Sequence, residues 1–121
     1  MIGLLSRLRE RKTEQEKRIR QGTIKRALLS ETEFFVLETM VDLWNANLTD
    51  YTQHEIIEKL CGNSNYPLEN LSKDIAHLRS RGFVYHQKEY LFPTFQGALL
   101  YRKAHPQQLI RAACDLPDSN L

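Results

Sequence analysis

Apolar side chains recur at every third or fourth position between about residues 31 and 47. This spacing places them on one face of an α-helix, which we expect to be a core element. The stripe consists of Phe34, Leu37, Val41, Trp44 and Leu48, and it is widened by Phe35, Met40 and Leu43. Ser30 precedes the stripe, and Glu33 stands three positions later, which is the capping-box spacing. The pattern therefore predicts a first core helix that begins directly after Ser30.

Two further helices are predicted between residues 52 and 82, joined by a polar turn. Thr52 and Glu55 repeat the capping-box spacing at the start of the first of them. The inward face of the second core helix is Ile56, Ile57 and Leu60, and that of the third is Leu68, Leu71, Ile75 and Leu78. We expect Gly62 to supply the left-handed residue that ends the second helix, Pro67 to begin the third, and Gly82 to end it.

Two β-prone runs follow the third helix. Residues 83–85 and 90–92 are rich in aromatic and β-branched side chains, and the residues between them are polar. Such a pair of runs predicts a small β-hairpin. Pro93 is expected to end the second strand, because proline lacks the N–H that a strand ladder needs.

A further helix is predicted after the hairpin, capped by Thr94 and running through about Ala104. The predicted fold class is therefore mainly α with a small β-hairpin. We divide the chain into a basic N-terminal helix or arm over 1–28, a folded domain over 29–105, and a short C-terminal helix with a tail over 106–121. The short helix is expected from Gln107 to Cys114.

Charge is divided unevenly along the chain. Residues 1–26 hold nine Lys or Arg and three Asp or Glu, whereas residues 27–121 hold eight and twelve. No apolar side chain occurs between Arg9 and Arg18, and i,i+4 Glu–Arg spacings there support an exposed helix that projects or lies on the surface. Such asymmetry is typical of an arm that binds nucleic acid or a membrane. A merely solvated helix, or one that docks a partner protein, is an open alternative.

The first residues of the chain suggest self-association. Ile2, Leu5 and Leu8 fall on one stripe of the N-terminal helix. A surface helix rarely leaves such a stripe bare in a monomer. We therefore expect a homodimer whose interface includes this helix.

The sequence lacks the short signatures of catalysis, of metal binding and of membrane insertion. Cys61 and Cys114 have no Cys or His partner at metal-binding spacing, and the four histidines lie on separate predicted elements. No apolar run approaches the roughly 18 residues of a membrane span, and the N-terminus lacks a signal-peptide core. We expect a cytoplasmic protein that is not an enzyme and needs no cofactor or metal.

The third helix and the hairpin resemble a known family. The stretch Leu71, Ile75, Leu78, Gly82, Phe83 and Val84 resembles the recognition helix and first wing strand of MarR-like and PadR-like bacterial regulators. The run from Tyr90 to Gly97 resembles their second wing strand and the start of the following helix. The resemblance covers about residues 30–104 and implies a winged helix-turn-helix domain. In such a domain the third helix enters the major groove of DNA and the hairpin lies beside it.

Candidate DNA-binding residues follow from this resemblance and from helical geometry. With the apolar stripe inward, a rotation of about 100° per residue places Asn70, Lys73, His77, Ser80 and Arg81 outward. Further candidates are Lys88 in the hairpin and Lys17, Arg18, Arg20, Lys25 and Arg26 in the basic arm. Arg and Lys can contact phosphate or guanine, and the amide of Asn70 suits adenine. Glu69 and Asp74 count against binding, because carboxylates repel phosphates.

The sequence favours a sequence-specific DNA-binding transcriptional regulator of bacterial, phage or plasmid type. We expect it to bind double-stranded DNA as a dimer on a two-fold operator. The acidic body and short wing keep a protein–protein interaction module open as an alternative. A replication or recombination accessory that holds DNA with little sequence choice is a further alternative.

Overall fold

The computed structural model describes residues 14–46, 54–88, 90–111 and 113–118. In this part of the chain the fold is mainly helical, with one two-stranded antiparallel hairpin. The helices are α1 (Glu14–Ala27), α2 (Glu31–Asn45), α3 (His54–Gly62), α4 (Leu71–Ser80) and α5 (Phe95–Ala104), and the strands are β1 (Val84–Gln87) and β2 (Tyr90–Pro93). Three-residue 3₁₀ turns cover Leu68–Asn70 and Ala113–Asp115. The predicted class, mainly α with a small hairpin, is confirmed at this level.

Helix α2 is the centre of the fold and contacts α3, α4, α5 and β2. Its capping box is confirmed, because the side chain of Ser30 accepts from the backbone N–H of Glu33 at 3.1 Å, and Glu33 Oε1 accepts from Ser30 N at 2.6 Å. The helix ends at Asn45 rather than at about residue 47. Its fully buried apolar side chains include Phe34, Val36, Leu37, Met40 and Val41. Since neighbours surround α2, burial extends beyond the predicted stripe and encloses Glu38 and Thr39 as well.

The connection between α3 and α4 differs from the prediction. Gly62 is the last residue of α3, and the left-handed conformation is taken instead by Asn65, with a φ of 62°. A Cβ at Gly62 would lie 3.3 Å from the side chain of Leu68, so this glycine makes room for the 3₁₀ turn. Leu68 is 42% exposed rather than inward, because that turn removes it from the stripe of α4. The predicted cap residue Thr52 lies outside the described residues.

The end of α4 is fixed by hydrogen bonds of the expected kind. Gly82 has a φ of 80°, and the N–H of Phe83 donates to Leu78 O at 2.9 Å, which is the Schellman arrangement. Thr94 begins α5 as predicted, since its Oγ1 accepts from Gly97 N at 3.0 Å. The same hydroxyl donates to Gly82 O at 2.6 Å. One threonine therefore ties the start of α5 to the end of α4.

The hairpin is short and regular. Its antiparallel pairs are Val84 with Pro93, Tyr85 with Phe92, His86 with Leu91 and Gln87 with Tyr90. This register leaves a two-residue turn in which Lys88 has a φ of 55°. Pro93 is the last residue of β2, so it belongs to the strand that it was expected to end. The rings of Tyr85 and Phe92 stack across the strands with centroids 5.3 Å apart.

Helix α1 packs along α5 and contributes to the core. Thr23, Ile24 and Ala27 are buried, and Ile24 and Ala27 belong to the same apolar cluster as α2. The second half of α1 is therefore part of the folded body rather than a projecting arm. The stripe of Ile2, Leu5 and Leu8 lies outside the described residues.

The chain after α5 runs back over α2. Trp44 Nε1 donates to Arg111 O at 2.6 Å, and the guanidinium of Arg111 lies 5.2 Å from the Trp44 ring centroid. Further on, the N–H of Phe95 donates to Pro117 O at 2.8 Å. The described residues of the predicted 107–114 helix contain no α-helix, and the 3₁₀ turn Ala113–Asp115 is the regular element there. Side-chain and backbone contacts with α2 and α5, rather than helical hydrogen bonds, hold this segment.

Candidate nucleic-acid interface

An open groove of about 810 Å³ lies between α4 and β1. Its walls include Ala76, Arg79 and Ser80 from α4, Tyr85, His86 and Gln87 from β1, and Asp118 from the C-terminal segment. Helix α4 can present a face here because Leu71, Ile75 and Leu78 anchor its other side in the core. The groove therefore joins the third predicted helix to the hairpin that follows it.

The exposed face of α4 has a small, uncharged centre. Ser72, Ala76 and Ser80 follow one another at steps of four and are all exposed, so they form one ridge along the helix. Lys73 and Arg79, also exposed, flank this ridge. Short side chains allow another molecule to approach the helix backbone closely, while the two cations attract negative charge.

Arg79 was not among the predicted site residues. The helical-wheel argument included Leu68 in the inward stripe, whereas the structure replaces Leu68 by Asp74, which is 4% exposed. This substitution rotates the exposed face of α4 toward Ala76 and Arg79. The carboxylate of Asp74 accepts a hydrogen bond from the hydroxyl of Tyr66, so it does not face the groove. The objection that Asp74 would repel phosphates is therefore wrong, whereas Glu69 is exposed as expected.

Two predicted residues of this helix have partners elsewhere in the protein. His77 Nδ1 contacts the carboxylate of Glu33, which couples α4 to the start of α2. The guanidinium of Arg81 donates to the carbonyl oxygens of Ala27 and Leu28 at the end of α1. Both side chains are partly exposed, yet their polar atoms are engaged in holding helices together.

The remaining predicted residues of the third helix and hairpin lie on this side of the fold. Asn70 is partly exposed at the N-terminus of α4, and Ser80 donates to His77 O at 2.8 Å while its residue remains exposed. Lys88 is exposed in the hairpin turn. The structure thus brings Lys73, Ser80 and the missed Arg79 together on one helix, with the hairpin beside them.

The basic residues predicted for the arm divide into two groups. Lys17, Arg18, Lys25 and Arg26 are exposed on α1. Arg20 is not, because its Nη2 donates to Glu38 Oε1 at 2.9 Å and its Nε to Glu38 Oε2 at 3.1 Å. A further hydrogen bond joins Arg20 to Glu31. Burial alone would lower the pKa of Arg20, but the hydrogen bond with Glu38 and the charge of that carboxylate hold it above its ordinary value.

Four carboxylates of the folded body are buried and have partners inside the protein. Glu33 contacts His77, and Glu38 contacts both Arg20 and His105, the latter at 2.6 Å. Asp42 accepts from Tyr101 at 2.6 Å, and Asp74 accepts from Tyr66. Burial, followed by this hydrogen bond, raises the pKa of the Tyr66 hydroxyl well above its ordinary value. These acids therefore contribute little to the surface that a ligand would meet.

Comparison of the chain with protein-family models, with curated proteins and with solved structures finds no match. Within the described ranges, no helix combines the length and apolar character required to cross a bilayer. Among those same residues, no group of His, Cys, Asp and Glu side chains is arranged to hold a metal ion. Any function must therefore be argued from the surface of α4 and the hairpin, and from the charges around them.

Proposed function

We propose that this protein is a sequence-specific DNA-binding regulator with a winged helix-turn-helix fold, in which α4 reads the major groove. The observation that carries the proposal is the exposed face of α4, where the small ridge of Ser72, Ala76 and Ser80 is flanked by Lys73 and Arg79. A helix is about 10–12 Å across, and the major groove of B-DNA is about 12 Å wide. Small central residues permit close approach to base edges, while flanking cations contact phosphates.

The position of the hairpin supports the same proposal. β1 forms the other wall of the groove beside α4, and the turn that carries Lys88 follows directly. In winged-helix proteins of this class the hairpin lies next to the recognition helix on the DNA. A role as a dimer on a two-fold operator remains part of the proposal, since the residues expected to form the dimer lie outside the described part of the chain.

The buried carboxylates remove the main electrostatic objection. Residues 27–121 hold eight cations and twelve acids, but Glu33, Glu38, Asp42 and Asp74 are each less than 10% exposed. The acids that face solvent near α4 in the described residues are Glu69 and, across the groove, Asp118. An overall acidic body is therefore compatible with a local surface that attracts phosphates.

The test begins with selection of bound sequences from a genomic DNA library by the full chain. A recovered duplex is then titrated with the parent protein, with the variant Lys73→Ala/Arg79→Ala, and with the control variant Lys59→Ala/Arg102→Ala, whose side chains are exposed on α3 and α5. Removing a side chain of α4 that binds the DNA should cost about 1–3 kcal/mol of binding free energy. Arg81 is left intact in this test, because its replacement would also remove hydrogen bonds from the end of α1.

A single steric variant sharpens the experiment. Ala76→Glu places a carboxylate at the centre of the ridge, whereas Gln107→Glu makes a similar change at an exposed position after α5. We expect Ala76→Glu to abolish specific binding with an unchanged midpoint of urea unfolding. Equal affinities for parent, Ala76→Glu and Lys73→Ala/Arg79→Ala would rule out α4 as the reading element. Recovery of no shared sequence from the library would exclude sequence-specific binding.

A further inference from the structure

A second groove, of about 640 Å³, lies between α1 and α5 and shares no lining residue with the groove beside α4. Its apolar walls are Ile19 and Ala27 of α1, Leu99 and Leu100 of α5, and Phe83 between them. Leu99 is 41% exposed, although it is a large aliphatic residue in the middle of a helix. This α1–α5 groove is the surface considered below.

Gly22 lies in the floor of the α1–α5 groove and has no structural role within the described residues. A Cβ built on it would meet no atom within 4 Å, and its backbone has no left-handed φ. A glycine inside an exposed helix destabilises that helix by about 0.5–1 kcal/mol relative to alanine. The absence of a side chain here leaves the groove open next to Leu99, so that another backbone can approach α1 closely.

The rim of the α1–α5 groove is basic. Arg26 and Lys103 line it from opposite helices, and no carboxylate occurs among its described lining residues. Arg18 is exposed and precedes Gly22 by one helical turn, so it extends the same row of α1. An apolar floor between cationic edges is complementary to a surface that has an apolar centre and acidic edges.

We propose that the α1–α5 groove docks an acidic amphipathic helix of a partner protein. The lining row of α1 runs from Ile19 to Arg26, which is about two helical turns, or about 10 Å at 1.5 Å per residue. That length matches three apolar anchors at positions i, i+4 and i+7 of a bound helix. Glu or Asp beside those anchors would meet Arg26 and Lys103.

Charge argues against two occupants from this chain. A second copy that placed the same groove against itself around a two-fold axis would bring Arg26 and Lys103 of both copies together. The N-terminal segment 1–13 carries Arg7, Arg9, Arg11 and Lys12 against the single acid Glu10. Both occupants would be repelled by the rim, whereas an acidic helix would be attracted.

The experiment uses the full chain and a displayed library of helical peptides about four turns long. Each peptide has Leu at i, i+4 and i+7, and every other position is randomised among Glu, Lys, Gln and Ala. We expect the enriched peptides to carry more Glu than Lys beside the anchors. The enriched peptides are then synthesised, labelled and titrated by fluorescence anisotropy.

Three variants locate the binding site. Gly22→Leu fills the α1–α5 groove at a position with open space, and Arg26→Glu/Lys103→Glu reverses its rim. Lys17→Glu is the control, because it makes the same kind of charge reversal on α1 at an exposed residue that does not line the groove. We expect the first two variants to weaken peptide binding by more than about tenfold, as for a central interface residue. Lys17→Glu should bind like the parent.

Several outcomes would overturn the proposal. Failure to enrich any peptide, enrichment without an acidic excess, or equal binding by the parent and Gly22→Leu would each exclude an acidic helix as the occupant. If sedimentation shows that Gly22→Leu converts a dimer into a monomer, the groove is filled by a second copy instead. If Arg26→Glu/Lys103→Glu lowers affinity for duplex DNA but not for the peptides, the groove belongs to the DNA interface.

Discussion

Gly22 and Gly97 are both helical glycines, but their surroundings differ completely. A Cβ at Gly97 would lie 2.2 Å from the carbonyl oxygen of Phe83 and 3.2 Å from Leu37. Backbone cannot move aside as a flexible side chain can, so α5 approaches the end of α4 this closely only with glycine at residue 97. Gly22 faces open space, where an added methyl group meets nothing.

Alanine substitutions at these two glycines should therefore have opposite effects. We expect Gly97→Ala to destabilise the protein by about 3 kcal/mol, the upper end of the cost of overpacking. Gly22→Ala should stabilise it by about 0.5–1 kcal/mol, because alanine has the higher helix propensity. Urea unfolding followed by circular dichroism measures both. A parent-like midpoint for Gly97→Ala would contradict the close contact with Phe83.

Tyr66 makes stability depend on alkaline pH. Burial and the hydrogen bond to Asp74 raise its pKa, whereas an unfolded tyrosine ionises near pH 10. Its contribution is therefore fully present below pH 10 and is lost as the pH rises further, because only the unfolded state releases the proton.

The variant Tyr66→Phe isolates this effect, since all other titrating groups are shared with the parent. The difference in unfolding free energy between parent and variant should be constant up to about pH 10 and then shrink by at most about 1.4 kcal/mol per pH unit. Denaturant unfolding of both proteins between pH 8 and 11 gives this difference. A difference that stays flat to pH 11 would show that Tyr66 ionises equally in both states.

At the scale of elements, the docking of α1 depends on two arginines. Arg20 joins α1 to α2 through Glu38, and its guanidinium also lies 5.3 Å from the ring centroid of Phe34. Arg81 joins the end of α4 to the last carbonyls of α1. The most basic region of the sequence therefore supplies a structural ion pair in addition to exposed cations.

Removing Arg20 should strongly destabilise the fold. In Arg20→Ala the carboxylate of Glu38, whose side chain is 2% exposed, retains its hydrogen bond with His105 but loses the charge of the guanidinium. Loss of one member of a buried ion pair typically costs about 3 kcal/mol. Arg18→Ala is the matched control, because Arg18 is exposed on the same helix. Chemical unfolding that gives equal stabilities for the two variants would show that the Arg20–Glu38 pair contributes nothing.

At the scale of the whole molecule, self-association can be separated from folding. The core begins within α1, so deletion of residues 1–20 would remove Arg20 together with any dimer interface. Deletion of residues 1–13 retains every residue that the structure describes. We expect the full chain to be a dimer and the shortened chain a monomer, because the stripe of Ile2, Leu5 and Leu8 is lost. Sedimentation equilibrium measures both masses. Two monomers, or two dimers, would refute the assignment of the interface to this stripe.

The local elements of the fold were predictable from residues close together in the chain. The capping box of Ser30 and Glu33, the cap at Thr94 and the left-handed Gly82 are all present as expected. Each depends on contacts across at most five residues, which the local sequence specifies. The candidate site was predictable in part, since Lys73, Ser80 and Lys88 are exposed on α4 and the hairpin as expected.

The sequence by itself thus determined where the helices and the hairpin lie, because periodicity, caps and turns follow from neighbouring residues. Only the tertiary structure decided which polar groups remain available on the surface. Arg20 and Glu38 are 18 positions apart, and Arg81 meets a carbonyl 54 positions away. The inward rotation of Asp74 likewise depends on Tyr66 and on the 3₁₀ turn before α4. Charges on a helical wheel are indistinguishable until the fold brings their partners to them.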